Sequence, residues 1–143
     1  MNFEIIVGSV LGASEYVADS LEEKLVALGH HVNVHFQPSV DEVDFSNLLI
    51  VVTSTHGAGD LPDNIQSFEA ALSQQTLPDS RFIVIGLGDS SYDTFCQGAI
   101  TMEETFKKTG AVCISQPIHI DVLHHPVPED EALLYLDKVL ETL

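Results

Sequence analysis

Apolar side chains recur along this chain in two rhythms that take turns. Residues 3–7 are nearly all apolar, which suits a strand buried on both faces. Val17, Leu21, Leu25 and Leu28 then repeat at helical spacing, and Gly29 stands where a helix closes on a left-handed residue. Val32, Val34 and Phe36 alternate with His31, Asn33 and His35, predicting an edge strand with one wet face. Residues 48–53 predict a third strand; Ile65, Phe68 and Leu72 mark the next helix, with Pro62 near its first turn. Residues 82–87 predict a fourth strand, and Ala99, Met102 and Phe106 a helix ended by Gly110. A fifth strand starts at 111–114 and resumes at 118–122 after Pro117. The last helix opens at Pro128 with Glu129, Asp130 and Glu131, acids that complement its dipole, and carries Leu133, Leu136, Leu140 and Leu143. Strand and helix alternate without repeats, linkers or low-complexity tracts. The expected architecture is α/β, one domain over residues 1–143, with a parallel sheet covered by helices on both faces.

Composition narrows the setting. At 143 residues and 45% hydrophobic, the chain can bury a proper core in about one domain. No apolar stretch is long enough to cross a membrane. The opening Met1-Asn2-Phe3-Glu4 lacks the basic region of a signal peptide, and Cys96 and Cys113 are expected to be reduced thiols. These features point to the cytoplasm. With 22 acidic and five basic side chains, the net charge is −17. Nucleic acid and anionic membranes are excluded as partners, because both are held through Lys and Arg. The excess acid serves solubility, and it also offers a docking face for basic proteins.

Chemistry gathers where three predicted strands end. Ser9, Val10, Leu11, Gly12, Ala13 and Ser14 follow the first strand and lead into a helix. Backbone amides and the helix dipole make such a loop a phosphate cradle. Without Lys or Arg, it suits one terminal monophosphate better than a triphosphate, and it is neither a Walker A loop nor G-x-G-x-x-G. The second loop, Thr53 to Asp60, and the third, Gly86 to Tyr92, each carry a ring near a glycine turn, His56 and Tyr92. Two such rings on facing loops can sandwich a planar heterocycle. Backbone amides between Gly88 and Cys96 can meet that heterocycle's carbonyl edge.

At this point the sequence resembles the flavodoxin family, and in particular its short bacterial MioC-type members. Ser9 to Ser14 is similar to the family phosphate loop Ser/Thr-x-Thr-Gly-x-Thr. Ser54-Thr55-His56-Gly57 resembles the first flavin loop, and the run from Gly86 to Cys96 resembles the second at almost every position. The likeness spans the whole chain. It implies a three-layer sandwich with a five-stranded sheet of order 2-1-3-4-5, bound FMN and one-electron transfer. It further implies that Ser9, Gly12 and Ser14, with the amides around Val10, Leu11 and Ala13, hold the FMN phosphate. Thr53 and Thr55 would offer polar contacts to the phosphate and ribityl chain. Tyr92 would stack on the isoalloxazine, with His56 on the other side. The amides of Asp89 and Cys96, in the run that holds Gly88 and Phe95, would reach the pyrimidine edge. Gly57, in the turn with Ala58 and Gly59, would present its carbonyl to protonated N5 after a flip of the following peptide. Electrons would come from an NADPH-dependent flavodoxin reductase-type donor and leave to a redox enzyme, with biotin formation a candidate destination.

Three departures refine the expectation. Leu11 replaces a Thr of the phosphate loop, and losing one hydrogen bond of ~0.5–1.5 kcal/mol makes FMN about tenfold weaker. His56 stands where Trp is common, which thins the stacking. The final strand lacks the long insertion of long-chain members. Nearby carboxylates make reduction harder: one at about 8 Å, with ε of about 20, repels an added charge by ~2 kcal/mol, or roughly 90 mV. The histidines His119, His124 and His125 with Asp121 match no zinc spacing, so no metal is expected. Asp60, Asp89 and Asp93 lack a partnered nucleophile or base, and the cysteines lack C-x-x-C spacing. A receiver-type phosphoacceptor would need acids where Gly8-Ser9 and Thr53-Ser54 stand. A small stand-alone flavin enzyme, such as a quinone reductase, is the alternative to a carrier.

Overall fold

A strand whose every side chain is apolar must be covered on both faces, and the observed sheet is built on that requirement. The computed structural model describes residues 1–10 and 12–143. Chain order is β1 (Asn2–Gly8), α1 (Ala13–Ala27), β2 (His31–His35), β3 (Leu48–Thr53), α2 (Asp63–Leu72), β4 (Arg81–Gly88), α3 (Gln97–Lys108), β5 (Val112–Cys113), β6 (Ile118–Asp121) and α4 (Pro128–Glu141). All pairings between these strands are parallel, in the order β2-β1-β3-β4-β5. β6 also pairs with β4, so β5 and β6 share the fifth position as two halves of one interrupted strand. The expected order is therefore observed, with the break around Pro117 dividing the last strand.

Alternate residues of each central strand feed two cores. Phe3, Ile5 and Val7 of β1 join Leu48, Ile50 and Val52 of β3 beneath α1 and α4. Ile6, Leu49, Val51, Phe82 and Val84 point the other way, onto Ile65 and Phe68 of α2 and Met102 and Phe106 of α3. The apolar stripes end sooner than their spacing predicts. Leu28 caps α1 at 55% exposure, and Leu143 lies beyond α4, whose buried positions are Pro128, Ala132, Leu136 and Val139. Both leucines extend the rhythm past the last turn that touches the sheet. Gly29 and Gly110 take positive φ behind α1 and α3, as expected of helix ends.

The edge strand shows the expected wet face: His31 and Asn33 are exposed, while Val32 and Val34 are half-buried. Phe36 lies outside β2, and Asn33 and His35 also reach a buried carboxylate, which the alternation did not predict. Glu4 has no exposed surface. It accepts hydrogen bonds from Asn33 Nδ2 at 2.8 Å, Asn47 Nδ2 at 3.0 Å and the Asp44 amide at 3.2 Å, and pairs with His35 Nε2 at 2.8 Å. Burial alone would push the Glu4 carboxyl up. The bonds from Asn33, His35, Asn47 and Asp44 outweigh it and leave the group below its ordinary value.

Between β1 and β3 the chain reverses its direction of progress across the sheet. Ligands of open parallel sheets bind at the carboxyl ends of the strands flanking such a switch point. Gly8 and Thr53 face each other there, and the Ser54 amide donates to the Gly8 carbonyl at 3.0 Å.

Candidate functional site

The first loop is shaped by a distant side chain. Asn64, near the start of α2, accepts from the Ser9 amide at 3.0 Å and donates to the carbonyls of Val7 at 2.7 Å and Phe36 at 2.9 Å. The Ser9 amide is thus engaged, while its hydroxyl accepts from the Gly12 amide at 3.0 Å and closes the turn. Gly12 takes a left-handed φ of 89° and caps α1, whose first amides no preceding turn of helix can satisfy. Ser14 is buried, and its hydroxyl meets that of Ser54 at 2.7 Å, which ties the first loop to the second. Leu11 lies outside the described residues.

The second loop is a tight turn clamped at its base. The His56 amide donates to the Asp60 carbonyl at 2.7 Å, and the Asp60 amide returns to the His56 carbonyl at 2.8 Å. Within the clamp the Gly59 amide reaches the His56 carbonyl at 3.3 Å. Positive φ falls on Gly57, at 54°, and not on Ala58, the signature of a type II′ turn with His56 as its first residue. A side chain at Gly57 would strain that conformation.

The third loop packs against the second through the start of α3. The Gly98 amide donates to Thr55 Oγ1 at 2.9 Å, and a Cβ there would stand 2.6 Å from the Ser54 carbonyl oxygen. Only glycine permits this approach. Just before it, Cys96 caps α3 at a φ of 54°, the one positive-φ non-glycine residue among those described. Such a backbone costs about 1–3 kcal/mol and clusters at functional sites. The Cys96 thiol is fully buried; burial and then the charge of Asp121 push its pKa up to about 12, so it does not serve as a redox thiol. Asp89 Oδ1 accepts from the Ser91 amide and hydroxyl, and the Asp89 carbonyl accepts from the Tyr92 amide, folding the loop so that Tyr92 stands 66% exposed at its tip.

Together the loops enclose an open cleft of about 380 Å³. Of the residues singled out from the sequence, Val10, Ala13, Thr55, His56, Gly57, Gly88, Asp89, Tyr92, Phe95 and Cys96 line it. Ser9, Gly12 and Ser14 build the adjoining turn, and Ala58 and Gly59 complete the second loop without lining the cleft. Thr53 requires correction as a polar contact: it has no exposed surface, and its hydroxyl donates to the Ser54 carbonyl at 2.9 Å. Its place below the cleft follows from being the last residue of a fully buried strand. Ser54, Leu87, Thr94 and Val122 also line the cleft and were missed as site residues. Ser54, Leu87 and Thr94 belong to the loop runs already singled out, whereas Val122 lies just after β6, held by its amide on the Gly88 carbonyl at 2.8 Å. Asn64 was missed too, since nothing local signals a partner 55 residues away.

The comparisons with known proteins agree with this geometry. A family model described as Flavodoxin matches residues 5–134. The chain is 41% identical over 145 residues to the Protein MioC homolog of Haemophilus influenzae, covering 100% of this chain and 99% of that one. It is also 41% identical over 141 residues to Protein MioC of Escherichia coli, covering 97% and 96%. Among solved structures, a cysteine-to-alanine mutant of flavodoxin from Pseudomonas aeruginosa matches with a TM-score of 0.88 at 36% identity, over 96% of this chain and 95% of that one.

Proposed function

The chain belongs to the flavodoxin family, and we propose that it shuttles single electrons from a separate NADPH-dependent reductase to a redox enzyme. FMN is its cofactor, and electron carriage is the family's activity. The observation that carries the proposal is the cleft itself, open at the carboxyl ends of β1, β3 and β4. Flavodoxins are themselves a standing example of ligand binding at that switch point.

The residues present fit FMN. Leu87, Phe95, Cys96 and Val122 give the cleft an apolar lining, while Ser54, Thr55 and Asp89 supply polar groups. A cavity of this size and mixed lining suits a planar heterocycle. Ser9, Gly12 and Ser14 would form the phosphate turn, acting through hydroxyls, amides and the α1 dipole, because no Lys or Arg stands in any of the three loops. The fixed amides around Asp89 and Cys96 would face the pyrimidine edge. Gly57 would direct its carbonyl at N5, and Tyr92 would cover one ring face while leaving the outer edge reachable. Bound FMN supplies the one-electron chemistry; the protein holds it, limits water and sets its potential. Asp89, in the wall, disfavours additional negative charge there.

Both partners would dock on the acidic rim that includes Asp60, Asp89 and Asp93, presenting basic surfaces of their own. An enzyme of biotin formation is the acceptor to test first, in the cytoplasm, with residues 1–143 acting as one FMN-binding domain. Reconstitution is expected to give one FMN per chain, with riboflavin bound much more weakly because it lacks the phosphate. NADPH oxidation should require added reductase. Rapid oxidation of NADPH by the loaded chain alone, with a quinone as acceptor, would instead establish the stand-alone enzyme.

A further inference from the structure

Reduction brings negative charge into a cleft that already holds a carboxylate. The ionisable side chains lining it are His56, Asp89, Tyr92 and Cys96. The Asp89 carboxylate is engaged with Ser91, the Cys96 thiol is buried and neutral, and the Tyr92 phenol has only a proton to lose. His56 is the one lining group able to become a cation, since all five Lys and Arg lie outside the loops. Its backbone is clamped twice to Asp60, so the exposed imidazole is presented from a fixed point. Asp60 in the same turn and Asp93 in the third loop are exposed carboxylates that favour a cation at His56, while other titratable groups nearby are in contacts of their own. Asp121 accepts from the Ser90 and Leu123 amides, His119 packs edge-on against Phe95 at 6.3 Å, and His124 and His125 lie beside Asp121 and Glu131.

We propose that His56 is the proton-linked charge compensator of this cleft, an inference that rests on FMN being bound there. Free flavin takes up two electrons and two protons on full reduction. In this cleft two electrons, delivered singly by an external reductant, enter the ring with one proton at N5. The second proton comes from water to the free imidazole nitrogen of His56. With FMN bound, an imidazolium at His56 would offset the negative charge added by the two-electron step in proportion to the proton it takes up. Imidazole suits this task because its charge changes in the physiological range.

The experiment follows the imidazole C2–H resonance of His56 by NMR through a pH titration, with oxidised and then fully reduced FMN bound. The His56 proton affinity is expected to rise about threefold or more on reduction, by linkage. Between the two titration midpoints, the wild-type two-electron potential should gain an added pH dependence, about 8 mV per pH unit for a threefold rise and approaching about 30 mV as the rise becomes large enough to take up a whole proton. His56→Phe, which keeps a ring but cannot be protonated, should lack that segment. An imidazole midpoint unmoved by reduction would overturn the inference, as would matching pH profiles for wild type and His56→Phe. FMN that fails to bind the wild type at all would overturn the cofactor reading along with it.

Discussion

At Ala58, one methyl group governs how easily the second loop can change hand. The present turn puts positive φ on Gly57, where it costs nothing. In flavodoxins the first electron is accompanied by a flip of the peptide after that glycine. The flipped turn resembles type II and moves positive φ to Ala58. Alanine resists that conformation by ~1–2 kcal/mol. Ala58→Gly should therefore raise the first one-electron midpoint by roughly 45–85 mV, the same energy spread over one electron. Spectroelectrochemical titration of both forms measures it, and an unchanged or lower midpoint would mean that Ala58 never takes positive φ. Across the cleft, Tyr92 projects its ring into solvent with little of its own chain to pack on. Tyr92→Ala should weaken FMN by ~1–3 kcal/mol, the scale of a stacked base, while leaving thermal stability nearly unchanged. Fluorescence titration and a melting curve separate the two effects.

Between elements, the structure relies on side chains that act at a distance, and these mark where the sequence stops being legible. The succession of strands and helices and the three loops follow from periodicity, because a buried parallel sheet demands unbroken apolar runs and its returning helices demand a single stripe; the spatial order of the strands follows only from the resemblance to flavodoxins. Period alone cannot say which buried partner a polar side chain of an edge strand also meets. Asn33 and His35 read as wet, and Asn33 is exposed, but both also bond Glu4, an acid within an apolar run. Asn64 and Gly98 were equally silent, since the first reaches back to Ser9 and the second earns its identity only from the Ser54 carbonyl pressed against it. The Glu4 cluster yields a test. Glu4→Gln exchanges a buried carboxylate for a neutral amide among donors, and should cost about 2–3 kcal/mol at neutral pH. Its folded-state pKa lies below the ordinary 4.5, so its stabilisation is complete above that value and disappears as pH falls through the lower one. Wild-type melting temperature should accordingly drop on acidification below about pH 4.5, and the gap to Glu4→Gln should close. A gap that stays constant between pH 7 and pH 3 would contradict this role, by a difference of order the hydrogen-bond energies above.

For the whole molecule, the important pattern is where the few basic side chains stand. Lys24, Lys107, Lys108 and Lys138 occupy the last turns of α1, α3 and α4, and Arg81 begins β4. Because the strands are parallel and the helices return, all five lie at the pole opposite the cleft. The cleft pole carries Glu15, Asp63, Glu129, Asp130 and Glu131 in first helical turns, besides the acids of the loops. Electron exchange with a basic reductase should slow as ionic strength rises, because screening shortens the reach of this field to about 10 Å at 0.1 M salt. Rates measured by stopped flow that ignore salt would leave the net charge of −17 a matter of solubility. The lysines offset far-pole acids such as Glu22, Glu23, Asp137 and Glu141 while the cleft acids have no such cations beside them, so the cleft is the more negative end of the protein. On an electrode coated with polycation it should land cleft-down and give a direct voltammetric wave, without a soluble mediator. A polyanion-coated surface should hold it poorly, and any molecules that did adhere would sit with the sheet's full length between flavin and metal.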